Sequence, residues 1–267
     1  MAAENQTDFL VVGAGPVGLF TACVLSRQGV GVRIIDKKSG LRAQSDACLL
    51  HSRSLSLLNR LGLSTEVSDL GRRVEKLAFY EGLNRRAEVN LSGLNIEFPF
   101  VQIVPKNELK EVLETRLKEG GIQVDWNHRL AKLEIEGEHV GAAIEELAIS
   151  AKGYIIPEME WEVERTEQLK ATYVLGADGD DSKVAQLIGI GYERIGAPES
   201  YLICELESDW PVQYEMRVIL DGKYLSVELP IERRAAAAIP LQGKEFSAHS
   251  AASAGSGEQR IHRQPCA

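Results

Sequence analysis

The sequence of 267 residues lacks the features that mark membrane, secreted and metal-binding proteins. No apolar run reaches the ~18 residues that a helix needs to cross a bilayer. The first residues, MAAENQTDFL, lack the basic and apolar regions of a signal peptide. The cysteines include no C-x-x-C pair, so neither a metal site nor a disulfide framework is predicted; they are Cys23, Cys48, Cys204 and Cys266. We therefore expect a cytoplasmic protein with free thiols.

Positive charge is also in short supply. The chain has 30 Lys and Arg against 39 Asp and Glu, which gives a formal net charge of −9. This balance argues against nucleic acid or an anionic membrane surface as the main partner. A hydrophobic content of 44% with 26% charged residues is ordinary for a globular protein, and the length allows one large domain or two modest ones.

The most informative stretch, residues 8–36, has the pattern strand, glycine turn, helix, strand and acid. Gly13, Gly15 and Gly18 follow a short apolar run in the spacing G-x-G-x-x-G. The first glycine permits a tight turn, the second lets the backbone approach a pyrophosphate, and the third lets the helix pack close to the strand. A helix that starts near Pro16 would point its free N–H groups at the phosphates.

An acid closes this unit. Asp36 ends the second predicted strand, where its carboxylate can accept hydrogen bonds from a ribose diol. An acid here disfavours a 2′-phosphate, so FAD or NAD is predicted in preference to NADP, although Lys37 and Lys38 weaken that discrimination. A purely structural turn is the alternative, but strand, helix and acid agree on a dinucleotide. The predicted binding residues in this stretch are Gly13, Ala14, Gly15, Pro16, Val17, Gly18, Asp36 and Lys37.

Two further helices and a separate set of strands follow. A helix is predicted in HSRSLSLLNRLGL with Ser52 as its cap, and Arg53 stands in its first turn. A cation there opposes the helix dipole, so Arg53 either faces an anionic ligand or is a solvated surface residue. Residues 74–104 alternate as strands of a second sheet. The next helix, PKNELKEVLETRLKEGG, has Asn107 as its predicted cap.

A second acid follows a strand in TYVLGADGDDSKVAQLIGI. Asp178, with Gly179 after it, would lie at the carboxyl end of a strand, where open α/β sheets bind ligands. The alternative is an ordinary Asp-Gly turn. Alternating strands resume over residues 201–230, and the Ala/Ser/Gly-rich residues 233–267 are predicted to be mostly disordered.

Taken together, the glycine turn with Asp36, LLHSRSLSLLNRLGL, the helix after Pro105, and YVLGADG resemble the FAD-dependent aromatic hydroxylases. These are single-component flavin monooxygenases of the para-hydroxybenzoate and phenol hydroxylase type, and the resemblance covers about residues 8–232. It implies an α/β fold: a doubly wound, Rossmann-like FAD domain of the glutathione-reductase type, interleaved with an incomplete β-rich substrate domain. The implied boundaries are residues 1–190 for the FAD domain, with inserted strands at about 74–104, then 191–232 for the start of the substrate domain and 233–267 for the tail.

The resemblance also implies a chemistry and further site residues. In such enzymes NAD(P)H reduces FAD, which captures O2 as a C4a-hydroperoxide and hydroxylates a phenolic or similar aromatic substrate. Arg53 matches the arginine of the family's R-[ST]-L-E-x-L helix, with Ser56 in place of the glutamate. Lys106 stands where the family usually has glutamine. Asp178 and Gly179 match an Asp-Gly motif that touches both FAD and the nicotinamide cofactor.

Other departures leave the function open. Asp181 and Ala185 hold positions where the family usually has arginines, which should weaken attraction for a dinucleotide phosphate. The family's later Gly-Asp-Ala-x-His segment is absent, so a truncated chain is expected. The alternatives to a monooxygenase are a catalytically incompetent FAD-binding fragment and, less favoured, an NAD-dependent oxidoreductase. No catalytic acid or base is predicted, because His51 fits a packing or hydrogen-bonding role better. The sequence leaves monomer and homodimer open.

Overall fold

The structure is a computed structural model, and it describes residues 5–40, 47–152, 158–191, 193, 195, 200–207, 215–221, 224–231, 234–241 and 260–264. The helices are α1 (Pro16–Arg27), α2 (Ser52–Arg60), α3 (Ser64–Asp69), α4 (Lys106–Glu119) and α5 (Lys183–Leu187), with a 3-10 turn at Leu91–Gly93. The strands are β1 (Gln6–Val12), β2 (Val32–Asp36), β3 (Ala47–Leu50), β4 (Arg72–Val74), β5 (Lys76–Glu81), β6 (Asn84–Asn90), β7 (Val101–Pro105), β8 (Val124–Trp126), β9 (His128–Glu136), β10 (His139–Lys152), β11 (Glu158–Gly176), β12 (Ser200–Glu207), β13 (Glu215–Asp221), β14 (Tyr224–Ile231), β15 (Arg234–Leu241) and β16 (Arg260–Gln264).

The chain divides into two compact units, each made of two segments. The first comprises Met1–Gln44 and Leu109–Glu193, and the second comprises Ser45–Glu108 and Arg194–Ala267. Each unit therefore interrupts the other along the sequence, as the resemblance leads one to expect of a nucleotide domain interleaved with a substrate sheet.

The first unit is built on a six-stranded sheet in the order β8-β2-β1-β11-β10-β9. The strands β8, β2, β1 and β11 are parallel, whereas β10 pairs antiparallel with both β11 and β9. The expected α/β fold with a parallel nucleotide-binding sheet is confirmed. The buried cluster on one face of this sheet consists of Leu10, Val12, Ile35, Leu130, Ala142, Ile144, Leu169, Ala171 and Val184.

The helices of the first unit begin and end where the glycine and capping signals predict. Helix α1 has Pro16 at its first turn and ends before Gly29, whose φ of +74° is the left-handed conformation of a C′ glycine. Its buried Cys23 thiol donates to the Leu113 carbonyl of α4 at 3.3 Å, so the two helices pack closely. Helix α5 is capped by Ser182, which accepts from Ala185 N at 3.1 Å.

The second unit contains two sheets. The larger has the order β16-β12-β15-β14-β13-β5-β6, and the smaller has the order β3-β7-β4. Helix α2 lies within the predicted segment but begins at Ser52; its cap residue is His51, which makes no side-chain hydrogen bond, so the predicted Ser52 cap is wrong. Helix α4 likewise starts at Lys106, which places Asn107 inside the helix and not at its cap.

The larger sheet has one apolar and one polar face, because side chains alternate along each strand. The register puts the following residues on the apolar face: Leu77, Phe79, Val89, Met216, Val218, Leu220, Leu225, Val227 and Leu229. Several of these remain open, with Leu220 51% and Val89 46% exposed. A sheet face of this kind offers an apolar wall to a flat ligand.

The polar face carries an ionic cluster around Glu215. Its carboxylate accepts from Arg217 Nε at 2.7 Å and Tyr80 Oη at 3.1 Å, and it also pairs with Arg85. Burial alone would raise the pKa of Glu215, but the hydrogen bonds from Arg217 and Tyr80 and the two arginine charges outweigh it, so the pKa is lowered. The Glu228 carboxylate lies 3.9 Å from Arg217, and burial raises its pKa against that charge.

Strands β15 and β16 fall within residues 233–267, for which the sequence predicts disorder, so the structure differs from that prediction over these two segments. Backbone pairing explains the difference, because β15 forms ladders with β12 and β14 that need no periodic apolar pattern. Residues 233, 242–259 and 265–267 of the predicted tail lie outside the described residues.

Candidate functional site

Two of the three glycines in the β1–α1 turn are required by the packing of the chain itself. Gly13 has a φ of +103°, and a Cβ added there would lie 2.3 Å from the Ala177 carbonyl oxygen. A Cβ on Gly18 would lie 1.8 Å from the Gly13 carbonyl oxygen. Both separations are far below contact distance, so these glycines allow the turn, β11 and α1 to meet.

Gly15 differs from the other two because nothing in the described chain requires it. Its backbone has φ −72° and ψ 175°, a conformation open to any residue. A Cβ added at Gly15 would meet no heavy atom of the chain within 4 Å. The turn therefore leaves open space at this position, as a cradle for an approaching phosphate would.

The first turn of α1 faces the same space with unsatisfied donors. The first hydrogen bond inside the helix runs from Leu19 N to Gly15 O at 2.9 Å, so the N–H groups of Val17 and Gly18 have no acceptor within the helix. No acidic residue occupies this turn. The side chain of Val17 is 68% exposed. Free N–H groups and the helix dipole together favour an anion here.

Asp36 is tied directly to the glycine turn. Its Oδ2 accepts from Ala14 N at 2.7 Å, and its Oδ1 accepts from Lys38 N at 2.9 Å. Each carboxylate oxygen can accept a second hydrogen bond, so the two oxygens remain able to take the two hydroxyls of a ribose. Lys37 follows Asp36 as an exposed residue. The space at Gly15, the free N–H groups and this carboxylate together fit an adenine dinucleotide such as FAD.

Asp178 lies close to the glycine turn but is largely committed to α5. A Cβ on Gly13 would lie 2.9 Å from the Asp178 Cα. The Asp178 carboxylate accepts from Ser182 Oγ at 2.6 Å and from the N–H groups of Lys183 and Val184 at 2.6 and 3.2 Å. Only Oδ1 retains an unused acceptor position among the described contacts, so the Asp178 carboxylate is chiefly bound by Ser182 and the first turn of α5. The following Gly179 has a φ of +85°, which favours glycine.

The remaining predicted residues belong to the second unit. Arg53 is exposed in the first turn of α2 and forms no ion pair with any other residue that the structure describes. Lys106 is the exposed first residue of α4. Burial raises the pKa of the Cys48 thiol, and the nearby Lys106 ammonium offsets part of that rise. Burial also raises the pKa of Cys23 to about 11, so neither thiol is activated as a nucleophile.

A carboxylate on the α2 face was not foreseen from the sequence. Glu97 accepts from Ser56 Oγ at 2.6 Å and from Asn59 Nδ2 at 3.1 Å. Arg53, Ser56 and Asn59 are three residues apart and so share one face of the helix. The family's motif has a glutamate at the position of Ser56. In this chain a carboxylate is supplied there by Glu97, which comes from a distant loop. No spacing rule could reveal this, because the partners are 41 and 38 residues apart.

Comparison with known proteins identifies the family. A family model described as "FAD binding domain" matches residues 6–216, well over half of the chain. The chain belongs to this family. The matched region includes the glycine turn, Asp36, Arg53, Lys106 and Asp178.

Proteins with similar sequences include monooxygenases. A pentachlorophenol 4-monooxygenase of Sphingobium chlorophenolicum is 30% identical over 195 residues, which are 72% of this chain and 34% of that protein. A 6-methylpretetramide 4-monooxygenase of Streptomyces rimosus is 29% identical over 183 residues, 68% of this chain and 30% of that protein. The chain therefore spans about a third of the length of these relatives.

Solved structures share the fold. The crystal structure of a p-nitrophenol 4-monooxygenase from Pseudomonas putida matches with a TM-score of 0.83 at 18% identity, covering 98% of this chain and 68% of that one. A structure of a flavin-dependent monooxygenase in complex with FAD and substrate matches with a TM-score of 0.74 at 18% identity, covering 94% of this chain and 46% of that one. Among the described residues, no helix is both long and apolar enough to cross a membrane.

Proposed function

We propose that the chain is an FAD-binding oxidoreductase, an NAD(P)H-dependent flavin monooxygenase that hydroxylates an aromatic or phenolic substrate. The observation that carries the proposal is the open space at Gly15, where an added Cβ meets nothing, beside the free N–H groups of α1. The chain's own packing does not explain a glycine there, whereas a bound diphosphate does. Membership of the FAD binding domain family supports FAD over NAD as the dinucleotide.

In this proposal the residues of each unit have distinct roles. Val17 and Gly18 donate to the diphosphate from the first turn of α1, and Asp36 accepts from the adenosine ribose. The family resemblance is the ground for assigning Arg53, which lacks an anionic partner among the described residues, to the binding of FAD. Bound FAD would supply the reduction and oxygen activation that hydroxylation needs. The apolar face of the larger sheet in the second unit would support an aromatic ring.

The negative charge around Asp178 is unfavourable for binding the nicotinamide cofactor. Asp178, Asp180 and Asp181 lie within four residues, and Asp181 accepts from Gln186 Nε2 at 2.8 Å. Such a negative turn attracts a dinucleotide phosphate weakly. We therefore expect a high KM for NAD(P)H.

The experiment is a titration of the purified chain with FAD, followed by an assay of NAD(P)H oxidation with and without phenols. Two results would support the FAD site: the bound form shows flavin absorbance, and Asp36→Asn binds FAD roughly tenfold or more weakly. The second is expected because hydrogen bonds to a charged group contribute about 1.5–3 kcal/mol. Asp8→Asn is the matched control, since Asp8 accepts from Gly31 N at 2.8 Å just before the start of β2 and so also binds a backbone N–H. A colourless protein that binds NAD would contradict the proposal.

A second candidate is an FAD-binding fragment without catalytic activity. The family match does not favour this candidate over the monooxygenase. Substrate-stimulated oxidation of NAD(P)H distinguishes the two, because the fragment would bind FAD and show no such stimulation.

A further inference from the structure

The turn between β8 and β9 lies next to the acid of the dinucleotide site. Trp126, the last residue of β8, is the ladder partner of Asp36, the last residue of β2. Neighbouring strands are about 4.8 Å apart, and paired residues direct their side chains to the same face of the sheet. The backbone N–H of the following residue, Asn127, donates to the Lys38 carbonyl at 2.9 Å. Residues 126 and 127 therefore lie beside the place where the base of a nucleoside held by Asp36 would begin.

The backbone of Asn127 has an unusual conformation. Its φ is +60°, and no other non-glycine residue in the described part of the chain has a positive φ. Asparagine tolerates the left-handed region better than most residues, and residues held there are concentrated at functional sites. The carbonyl of Asn127 also accepts from Leu147 N at 2.8 Å. The backbone at this position is therefore fixed on both sides.

The side chain of Asn127 carries a polar atom that the protein itself does not satisfy. Its Oδ1 is buried, and no residue that the structure describes donates a hydrogen bond to it. Nearly all buried polar atoms in proteins have a hydrogen-bond partner, so an exception calls for an explanation. The turn alone does not provide one, because glycine would adopt the same φ without burying an unpaired oxygen. A donor supplied by a ligand would provide it.

Trp126 brings an aromatic ring to the same place. The Lys110 ammonium of α4 lies over this ring, 5.8 Å from its centre. Lys110 is buried, whereas Trp126 remains partly exposed. An aromatic side chain stacks on any base, because every base has a π-face, whereas a side-chain amide distinguishes bases by hydrogen bonds. The two neighbouring residues thus combine stacking with selection.

We propose that Asn127 selects the adenine of the bound dinucleotide by hydrogen bonds and that Trp126 packs against this base. The edge of adenine presents its amino group, a donor, beside a ring nitrogen, an acceptor; the oxygen and NH2 group of an amide are their complements. Because no hydrogen bond holds Oδ1, the amide can turn about its side-chain bonds to meet the base. The proposal rests on the proposed function in one respect, that the β1–α1 turn binds a dinucleotide.

This chemistry specifies which nucleotide the site should bind weakly. Inosine 5′-diphosphate differs from ADP only in its base, which has a carbonyl oxygen in place of the adenine amino group. That oxygen is an acceptor, so it cannot donate to Asn127 Oδ1. Both nucleotides keep the ribose and the diphosphate that Asp36 and α1 would hold, and neither contains flavin. A difference between their affinities therefore reports recognition of the base.

The first test is competition of ADP and inosine 5′-diphosphate against FAD on the purified chain, read by flavin fluorescence. In the unchanged protein ADP should displace FAD at roughly tenfold lower concentration than inosine 5′-diphosphate. Asn127→Gly, which keeps the positive φ, should weaken ADP and FAD roughly three- to tenfold and leave inosine 5′-diphosphate unchanged. Equal displacement by the two nucleotides in the unchanged protein would overturn the proposal without any variant. An undiminished preference for ADP in Asn127→Gly would also overturn it.

Stability separates recognition of a base from a structural role. Without FAD, Asn127→Gly should unfold at no lower temperature than the unchanged protein, because it loses a buried atom that has no partner. The matched control is Gln123→Ala, which removes an exposed amide at the other end of β8 and should leave the affinities for both nucleotides unchanged. A lower unfolding temperature of Asn127→Gly with unchanged preference for ADP would show a structural role and refute the proposal.

Tryptophan fluorescence tests the packing of the base. ADP should quench the emission of the unchanged protein, and it should do so equally in Trp161→Phe, which removes a tryptophan that is 50% exposed on β11. The quenching should be lost in Trp126→Phe. Phenylalanine keeps a stacking ring, so Trp126→Phe should bind ADP within about threefold of the unchanged protein, whereas Trp126→Ala should bind it roughly tenfold more weakly. Undiminished quenching in Trp126→Phe would contradict the proposed packing.

Failure of this proposal differs from failure of the proposed function. A chain that binds neither FAD nor ADP has no dinucleotide site, and both proposals are then wrong. A chain that binds FAD but does not distinguish ADP from inosine 5′-diphosphate has the dinucleotide site without recognition of adenine by Asn127. In that case only the present proposal is wrong.

Discussion

Replacing Gly15 with alanine separates the requirements of the chain from those of a bound dinucleotide. The added methyl group would meet no heavy atom within 4 Å, and the backbone at φ −72° and ψ 175° accepts any residue. The free energy of unfolding of the FAD-free protein should therefore stay the same or rise by about 0.4–1 kcal/mol, because alanine reduces the entropy of the unfolded chain.

Binding should respond in the opposite direction. A methyl group at Gly15 would stand where the diphosphate approaches the first turn of α1 and would displace it from the N–H groups of that turn. Loss of one hydrogen bond to a charged group costs about 1.5–3 kcal/mol, which corresponds to a rise in the FAD dissociation constant of roughly 10- to 150-fold. Titration of flavin fluorescence measures this constant, and thermal unfolding without FAD measures stability.

Two other glycines serve as comparisons. Gly93→Ala also adds a methyl group that meets nothing within 4 Å, so it should leave FAD binding unchanged and affect the free energy of unfolding as Gly15→Ala does. Gly18→Ala drives a methyl group against the Gly13 carbonyl at 1.8 Å, so it should destabilise the protein itself by about 1–3 kcal/mol. The reasoning is refuted if Gly15→Ala binds FAD as tightly as the unchanged protein, or if it unfolds as Gly18→Ala does.

Three further predictions concern charge. Burial raises the pKa of Glu228 above that of the unfolded chain, so the ionised side chain lowers stability. Glu228→Gln should therefore raise the free energy of unfolding at pH 7, and the gain should vanish once the pH is low enough to protonate Glu228 in both states. An equal gain at both pH values would contradict this. Asp181→Arg should lower the KM for NAD(P)H severalfold, since it replaces a repelling charge by an attracting one. Steady-state kinetics measure this KM, and an unchanged value would contradict the prediction. Glu97→Ala should weaken FAD binding severalfold by releasing the loop from the Arg53 face of α2, and the double variant Ser56→Glu with Glu97→Ala should restore it; failure of rescue would argue that Glu97 acts elsewhere.

Local signals were sufficient for the nucleotide unit. The apolar run, the glycine spacing and Asp36 are contained within 29 residues, 8–36, and the structure places them as strand, turn, helix and strand, as predicted. Gly29 ends α1 and Ser182 caps α5 because both features depend only on neighbouring residues. The parallel α/β sheet follows from the same pattern, since a strand–helix–strand unit of this kind folds in essentially one way.

Other features depend on partners far along the chain, and no local pattern encodes them. Glu97 reaches Ser56 across 41 residues. Strand β15 forms in an alanine-rich stretch because two ladders satisfy its backbone, which its own side chains do not predict.

The sequence by itself therefore determined the dinucleotide turn, its acid and the kind of sheet that carries them, because each depends on residues close together in the chain. Only the tertiary structure decided which glycines the chain needs for itself, since that depends on how closely β11 approaches the turn. The tertiary structure also decided that Gly15 faces open space and that the β10–β11 hairpin extends beyond the ends of β1 and β9. Both features depend on where other strands end.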